Sequence, residues 1–195
     1  MLRIVAGEWG GRRIPAPRGR STRPTSEKVR AAVFNVLAHH MALEGIAVWD
    51  LFAGSGAMGI EALSRGARHA TFVESDARAA SAIAESLAAL GAGAERFTVV
   101  PGRVDRWLQQ PRSSPPPTVI LLDPPYRTND GERALERLAA LAEVPAGAVI
   151  VLEHAREAGP RLSPALELWQ SKRYGDTEVR FLVKGAAETD GAHRT

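Results

Sequence analysis

From residue 46 onward, short apolar runs alternate with stretches of helical pattern. The runs read IAVWDLF, HATFVE, RFTVV, TVILLD and GAVIVLE, and each is short enough to be a buried strand. Helical patterns lie between them, over residues 57–65, 76–90, 103–110 and 131–143. Strands that alternate with helices are typical of a parallel sheet covered on both faces.

The pattern changes near the end of the chain. The segment LELWQSKRYGDTEVRFLVK reads as two strands around Tyr174, Gly175 and Asp176, which predicts an antiparallel hairpin that closes the sheet. With the five earlier runs, this predicts an α/β, Rossmann-like fold whose seven-stranded sheet is mostly parallel. We assign this domain to residues 25–184 and expect residues 185–195 to be a disordered tail.

The first residues form a separate pattern. LRIVAG and GRRIPAP flank EWGG, which predicts a small N-terminal β-hairpin. A loop rich in Pro, Arg and Gly follows, and we treat residues 1–24 as an extension of the main domain. Thr25 and Ser26 are N-cap candidates for a helix whose apolar side chains Val29, Val33, Val36 and Leu37 fall on one face.

Charge is distributed unevenly along the chain. The formal net charge is +3, but residues 1–30 hold eight basic side chains against two acidic ones, and the remainder is slightly acidic. Arginine dominates the cations, and its planar guanidinium suits phosphates and base edges. This asymmetry predicts a polyanionic partner, most simply a nucleic acid, at the N-terminal end.

Composition excludes several classes of protein. The chain has no cysteine, so disulfides and thiolate chemistry are absent and a cytoplasmic location is expected. The sequence contains no run of 18 apolar residues, so we expect no membrane span. The five histidines lack metal-ligand spacing, so we expect no metal site.

A glycine-rich turn follows the first run of the domain. Asp50 precedes a GxGxxG formed by Gly54, Gly56 and Gly59, and Glu74 lies at the end of the next strand. Such glycines let the backbone approach a nucleotide, and a strand-end carboxylate accepts hydrogen bonds from ribose hydroxyls. The spacing fits a dinucleotide as well as S-adenosylmethionine (SAM). We prefer SAM because Asp50 would repel a pyrophosphate but attract the amino group of a methionine.

A second strand ends in Asp123-Pro124-Pro125-Tyr126, at the same predicted edge of the sheet. Asp123 and the carbonyl of Pro124 could accept both N–H bonds of an exocyclic amine, and Tyr126 could stack on its base. Methyl transfer to such an amine needs no metal and gains most from alignment of the reactants. The alternative is a proline-stiffened turn that only connects two elements.

The sequence DPPY resembles the motif of enzymes that methylate exocyclic nitrogens of adenine, cytosine or guanine. Over residues 3–184 the chain resembles the RsmD family of small-subunit rRNA methyltransferases. The resemblance is carried by RIVAGEWGGRRI, TRPTSEKVRAAVFNVL, DLFAGSGAMGIEALSRGA, FVESD, DPPY and VLEH. It implies a SAM-dependent methyltransferase fold and methylation of guanine N2 at position 966 of 16S rRNA, on assembled or nearly assembled 30S particles.

The resemblance also implies roles for individual residues, in a protein expected to be a monomer. Asp123, Pro124 and Tyr126 would hold the guanine. The cofactor would be bound by Asp50, Phe52, Ala53, Gly54, Ser55, Gly56 and Glu74, with Arg103 and Val104 on its adenine side, where relatives commonly have Asn or Asp before Ala. Contacts with RNA would come from Arg12, Arg13, Arg18, Arg20, Arg23, Pro125 and Arg127.

Some alternatives stay open at this point. A DNA adenine or cytosine methyltransferase shares the DPPY chemistry, and an NAD-dependent dehydrogenase shares the GxGxxG. A non-catalytic ribosome-assembly factor would keep the basic arm. Glu153 and His154 end the fifth strand on the same edge, where a pocket-lining role and a strand-end cap are both open.

Overall fold

Seven strands form one sheet in the order β5-β4-β3-β6-β7-β9-β8. A computed structural model of the chain describes residues 1–16, 27–111, 113–125, 128–156 and 159–186. Neighbours among β3 to β7 pair in parallel, and β9 pairs antiparallel with both β7 and β8. The strands are β3 Ala47–Leu51, β4 His69–Glu74, β5 Phe97–Pro101, β6 Val119–Leu122, β7 Val149–Ala155, β8 Leu166–Tyr174 and β9 Thr177–Lys184. The predicted fold class is therefore confirmed, including the C-terminal hairpin.

Helices cover both faces of this sheet. They are α1 Glu27–His40, α2 Ala57–Ser64, α3 Ala77–Leu90, α4 Val104–Trp107 and α5 Asp130–Ala140. The helical stretch predicted at 103–110 is thus one short turn, and the one predicted at 131–143 ends three residues early. Asp76 starts α3 by accepting the backbone N–H groups of Arg78 and Ala79, at 2.8 and 3.0 Å.

Side chains alternate between two apolar clusters, one on each face of the sheet. The first face carries Val48, Leu121, Val151, Val179 and Phe181 and is covered by α1, α2 and α3. The second face carries Trp49, Ile120, Leu122, Leu152 and Leu182 and is covered by α4 and α5. This alternation follows from the two-residue period of a strand. It also determines to which face a polar side chain at a strand end points.

Helices α1 and α2 run side by side in the same direction. Arg30 and Glu61 form an ion pair at 3.6 Å, and four residues further along each chain segment Arg65, the residue after α2, lies 5.2 Å from the ring centre of Phe34. Because α2 begins directly after β3, both helices start at the carboxyl edge of the sheet, where β3 to β7 end. The first turn of α1 therefore lies near that edge. The predicted N-caps Thr25 and Ser26 lie outside the described residues.

The N-terminal hairpin pairs β1 Leu2–Arg3 with β2 Arg13–Ile14 and packs against α1 and α2. Its side chains Ile4, Trp9 and Ile14 are buried in the cluster of the first face. Residues 1–16 thus share a core with the main domain. The division at residue 24 stays a prediction, and residues 187–195 of the predicted tail lie outside the described part.

Two buried polar side chains of α2 fix the hairpin in place. Glu61 is 0% exposed and accepts the backbone N–H groups of Val5 and Ala6, at 2.7 and 3.1 Å. Ser64 accepts the N–H of Trp9 at 2.9 Å and donates its hydroxyl to the Ala6 carbonyl. These bonds satisfy backbone groups that no strand partner reaches. Among the described helices, none is both long and apolar enough to cross a bilayer.

Candidate active site

The glycine turn connects β3 to α2 at the carboxyl edge. Phe52 has φ 62°, a left-handed conformation that is uncommon for a residue with a side chain and that concentrates at functional sites. Gly54 has φ 55°, and an added Cβ there would meet nothing closer than 4.0 Å. At Gly59, an added Cβ would overlap with the ring of Phe72 and lie 3.0 Å from Asp50 Oδ2. Gly54 therefore borders open space, whereas Gly59 permits α2 to pack on the sheet.

Asp50 lies beneath this turn. It is 4% exposed, and its Oδ2 accepts the backbone N–H of Gly59 at 2.8 Å. Burial raises the pKa of Asp50 to about 7, the Gly59 N–H opposes that rise, and the charge of Glu74 adds to it. The side chain thus anchors the start of α2 from below. Its contact with the amino group of a methionine stays a prediction.

Glu74 joins the glycine turn to the end of β4. Its Oε2 accepts the N–H of Gly54 at 2.7 Å, and its Oε1 accepts the N–H of Asp76 at 2.8 Å. The carbonyl of Glu74 accepts the N–H of Gly102 after β5, also at 2.8 Å. One residue therefore connects three loops of the carboxyl edge. A carboxylate held in this way keeps further lone pairs for hydroxyl donors.

The other residues of the turn are held by backbone bonds. Ala53 donates to the Val73 carbonyl at 3.1 Å, and its own carbonyl accepts the Gly56 N–H at 2.7 Å. Ser55 is half-buried beside them, and Gly56 starts α2 with φ 71°. The predicted cofactor residues from Asp50 to Glu74 are thus close together.

The proline turn follows β6. Asp123 is half-buried directly after the strand, Pro124 is buried and Pro125 is exposed. A Cβ added at Gly131 would lie 2.7 Å from Pro124 Cγ, so the start of α5 packs tightly on this proline. The Pro125 carbonyl accepts the N–H and the hydroxyl of Thr128, at 3.3 and 3.1 Å. Two other predicted residues, Tyr126 and Arg127, lie outside the described part of the chain.

A cavity of about 650 Å³ opens between these loops and the helices α4 and α5. It is lined by residues predicted for the cofactor side, Phe52, Arg103 and Val104, and by Pro125 of the proline turn. Sequence reasoning missed further lining residues. These are Ser75, Gly102, Asp105, Leu108, Gln109, Asp130, Arg133, Ala134, Glu136, Arg137, Ala140 and Leu141.

Arg103 is exposed, and its guanidinium contacts Asp105 at 3.0 Å and Asp130 of α5 at 4.0 Å. The hydrogen bond from Arg103 lowers the pKa of Asp105, so that carboxyl is ionised at neutral pH. Asp105 therefore puts a charged acceptor beside the cavity, close to Val104. The spacing of Arg103 and Asp105 was visible in the sequence, but it did not indicate that they face a shared space.

Among the N-terminal arginines predicted to contact RNA, the structure describes Arg12 and Arg13. Arg12 donates to the carbonyls of Leu90 and Ala89, at 3.0 and 2.6 Å, where a cation is favoured by the C-terminus of α3. That helix end lies at the amino edge of the sheet, away from the cleft, so Arg12 has an intramolecular role that its sequence context did not indicate. Arg13 is exposed on β2. The remaining predicted RNA contacts Arg18, Arg20 and Arg23 lie outside the described residues.

The fold and the loops at its carboxyl edge are those of a Rossmann-like methyltransferase. Solved structures support this class: the one named Putative methyltransferase yhhF, from Escherichia coli, matches with a TM-score of 0.83 at 32% identity, over 95% of this chain and 98% of that one. No group of three or more metal-binding side chains occurs among the residues that the structure describes.

The family follows from the sequence. A family model described as Conserved hypothetical protein 95 matches residues 2–183, and the chain belongs to this family, the RsmD family. Curated relatives carry the name Ribosomal RNA small subunit methyltransferase D. The one from Escherichia coli K12 is 36% identical over 95% of this chain and 91% of its own length. The one from Haemophilus influenzae is 34% identical, over 84% and 83%.

Proposed function

We propose that this enzyme transfers a methyl group from SAM to the exocyclic N2 of a guanine in small-subunit rRNA, at the position that corresponds to guanine 966 of 16S rRNA. The observation that carries the proposal is the meeting of two predicted sites at one edge of the sheet. Gly54 and Glu74 are joined by a hydrogen bond of 2.7 Å, and Phe52 of the same turn shares a cavity with Pro125.

On the cofactor side, the roles follow from the chemistry of the residues. Glu74 accepts hydrogen bonds from ribose hydroxyls, and the turn around Gly54 lets the backbone lie close to the methionine part. Asp50 lies beneath that turn, where its carboxylate would pair with the amino group of the methionine part. Arg103 and Val104 border the adenine side, where Asp105 adds an acceptor for an exocyclic amine.

SAM supplies a methyl group on a sulfonium, and the chain must hold the target nitrogen in line with the carbon–sulfur bond. Asp123 and the Pro124 carbonyl accept the two N–H bonds of N2, which directs its lone pair toward the methyl carbon. When bound, SAM would supply the methyl carbon, and its sulfur would take the electrons of the broken C–S bond as the new N–C bond forms. The nitrogen would then lose one proton, which Asp123 would accept. Tyr126 stacks on the base, and alignment of this kind is the main source of rate enhancement.

Small-subunit rRNA is the proposed substrate because the family relatives carry that substrate in their names and because positive charge is concentrated in residues 1–30. The last residues of that basic segment lead into α1, which starts at the edge that carries Asp123. Arg13, Arg18, Arg20, Arg23 and Arg127 would contact phosphates, and Pro125 would contact the substrate beside the base. An assembled or nearly assembled 30S particle, a monomeric enzyme and a cytoplasmic location belong to the same proposal.

The test offers methyl-labelled SAM together with 30S subunits that lack the modification, naked 16S rRNA or duplex DNA. We expect label in the 16S rRNA of the subunits, recovered after digestion as N2-methylguanosine. Label in the DNA would instead support an adenine or cytosine methyltransferase. Binding to subunits without any transfer would support a non-catalytic assembly factor.

A further inference from the structure

A second carboxylate lies beside Asp123 at the carboxyl edge of the sheet. The parallel strands β6 and β7 are in register with Leu122 opposite Leu152. The next residue along each chain is an acid, Asp123 after β6 and Glu153 within β7. Adjacent strands are about 4.8 Å apart, so the two acids leave neighbouring strands at the same height.

Strand alternation places Glu153 on the first face and, carried one residue past the end of β6, directs Asp123 to the same face. Leu121 and Val151 belong to the cluster of the first face, and Leu122 and Leu152 belong to that of the second. Alternation returns the next side chain to the first face on each strand. For Glu153 this is supported independently, because its antiparallel partner on β9 is Val179, a residue of the first face.

Glu153 is held more firmly than a loop residue. It is 9% exposed and lies inside the β7–β9 ladder, which continues to Ala155, whereas β6 ends at Leu122. Its backbone position is thus fixed by the pairing with β9, and its other side faces the proline turn that follows β6. That direction is the one in which the target base is proposed to lie.

We propose that Glu153 accepts the N1–H of the target guanine, while Asp123 accepts an N2–H. The inference rests on the proposed function and names the residue that selects guanine. Guanine carries two adjacent donors on its Watson–Crick edge, N1–H and the N2 amine, whereas adenine and cytosine present a ring nitrogen with a lone pair next to their amine. Two parallel carboxylates match the guanine pattern. A lone pair facing Glu153 would be repelled.

This assignment makes Glu153 a specificity-determining residue and not a second methyl-transfer base. Sites that hydrogen-bond a donor reject analogues lacking that donor much more strongly than apolar pockets reject a missing methyl group. A hydrogen bond to a charged acceptor contributes enough to change a rate by about 10- to 100-fold. The proposal therefore predicts a change in base preference and not only a slower enzyme.

The experiment uses the whole enzyme and 30S subunits reconstituted with 16S rRNA that carries either guanosine or 2-aminopurine riboside at the target position. Both bases have the 2-amino group, but 2-aminopurine has a lone pair at N1. Single-turnover methyl transfer by the wild-type enzyme should be about 100-fold or more faster with guanosine. Glu153→Gln, whose amide can donate to N1, should reduce that ratio at least about tenfold.

The matched control is Glu178→Gln. Glu178 is also buried on this edge, but it lies on the second face, where it accepts the Ser171 hydroxyl at 2.6 Å and the Arg180 guanidinium at 3.3 Å. The Glu178→Gln variant should keep the wild-type ratio of the rates on guanosine and 2-aminopurine subunits. Equal slowing of both substrates by Glu153→Gln, with the ratio intact, would assign Glu153 a structural role and overturn the proposal.

If the Glu153→Gln variant does not fold, the ratio of the wild-type rates on the two bases still tests the proposal. Similar wild-type rates on the two bases would also overturn the selection by Glu153. No transfer to guanosine subunits would be a different failure, that of the proposed function itself.

Discussion

The two sides of the cleft are built in different ways. On the proposed cofactor side, the glycine turn, the end of β4 and the start of the loop after β5 are connected by hydrogen bonds through Glu74, and Asp50 holds the start of α2 through the N–H of Gly59. On the proposed base side, Asp123 and Glu153 extend from neighbouring strands, and Pro124 is fixed by packing against α5. The first side is a network of loops, and the second is a pair of strand ends. Substitutions on the first side should therefore weaken SAM binding, whereas substitutions on the second side should slow methyl transfer.

The strongest test of this separation is Asp123→Ala. We expect the single-turnover rate on 30S subunits to fall by about 10² to 10³, the range found when one positioned electrostatic partner of a transition state is removed. SAM affinity, measured by calorimetry in parallel, should change only a few-fold. Near-normal turnover of the Asp123→Ala variant would mean that the proline turn only connects β6 to α5.

Asp50→Asn tests the support beneath the glycine turn. Because the pKa of Asp50 is raised to about 7, the folded protein holds a proton that the unfolded chain has lost between about pH 4 and pH 7. Stability from this group is present below pH 4 and is lost as the pH rises through 7. The asparagine variant should remove this loss and be more stable at pH 8, by on the order of a few kcal/mol.

The measurement is urea unfolding of both proteins at pH 5 and pH 8 in the absence of cofactor. The difference in unfolding free energy between wild type and variant should be larger at pH 8. A constant difference would mean that Asp50 ionises normally in the folded protein. SAM should bind the variant more weakly, since the negative charge beneath the turn is gone.

Glu74→Ala should weaken SAM binding by roughly 1–3 kcal/mol, since hydrogen bonds to a charged acceptor are lost together with the bond that holds Gly54. Calorimetry with SAM measures this, and NAD serves as the comparison ligand. The wild-type chain should not respond to NAD. Tight binding of NAD with no response to SAM would favour a dehydrogenase.

The smallest effect distinguishes two neighbouring arginines. Arg12→Ala removes two hydrogen bonds to the end of α3, so it should lower the unfolding free energy by about 1 kcal/mol and leave the salt dependence of subunit binding unchanged. Arg13→Ala is the matched variant and should reduce the slope of log affinity against log salt by about 0.7–0.9. A reduced salt slope for Arg12→Ala, with an unchanged slope for Arg13→Ala, would mean that Arg12 contacts RNA.

The sequence predicted the features that have a short period or a local motif. The strands from Ala47 to Leu152 and the turn around Gly54 are of this kind, because burial on both faces and a strand-to-helix turn leave a continuous or glycine-rich pattern. The helix predicted at 103–110 was too long. The apolar residues that suggested it, Trp107 and Leu108, are the last residue of a single-turn helix and the residue that caps it.

Contacts between distant residues could not be predicted in the same way. Nothing near Arg12 in the sequence indicates that the end of α3 lies within reach, 77 residues away. GxGxxG gives no sign that Gly59 serves packing against Phe72 while Gly54 borders open space. The adjacency of Asp123 and Glu153 requires the strand order, which places β6 beside β7, together with their register.

The attachment of the hairpin to α2 has a consequence for how the chain is made. Synthesis proceeds from the N-terminus, so residues 1–16 leave the ribosome long before Glu61 and Ser64 exist. Until those side chains arrive, the N–H groups of Val5, Ala6 and Trp9 lack the acceptors that hold them in the folded protein. The first segment to be synthesised is therefore among the later ones to acquire its final structure, and a shortened chain that begins after it would remove the backbone donors of Glu61.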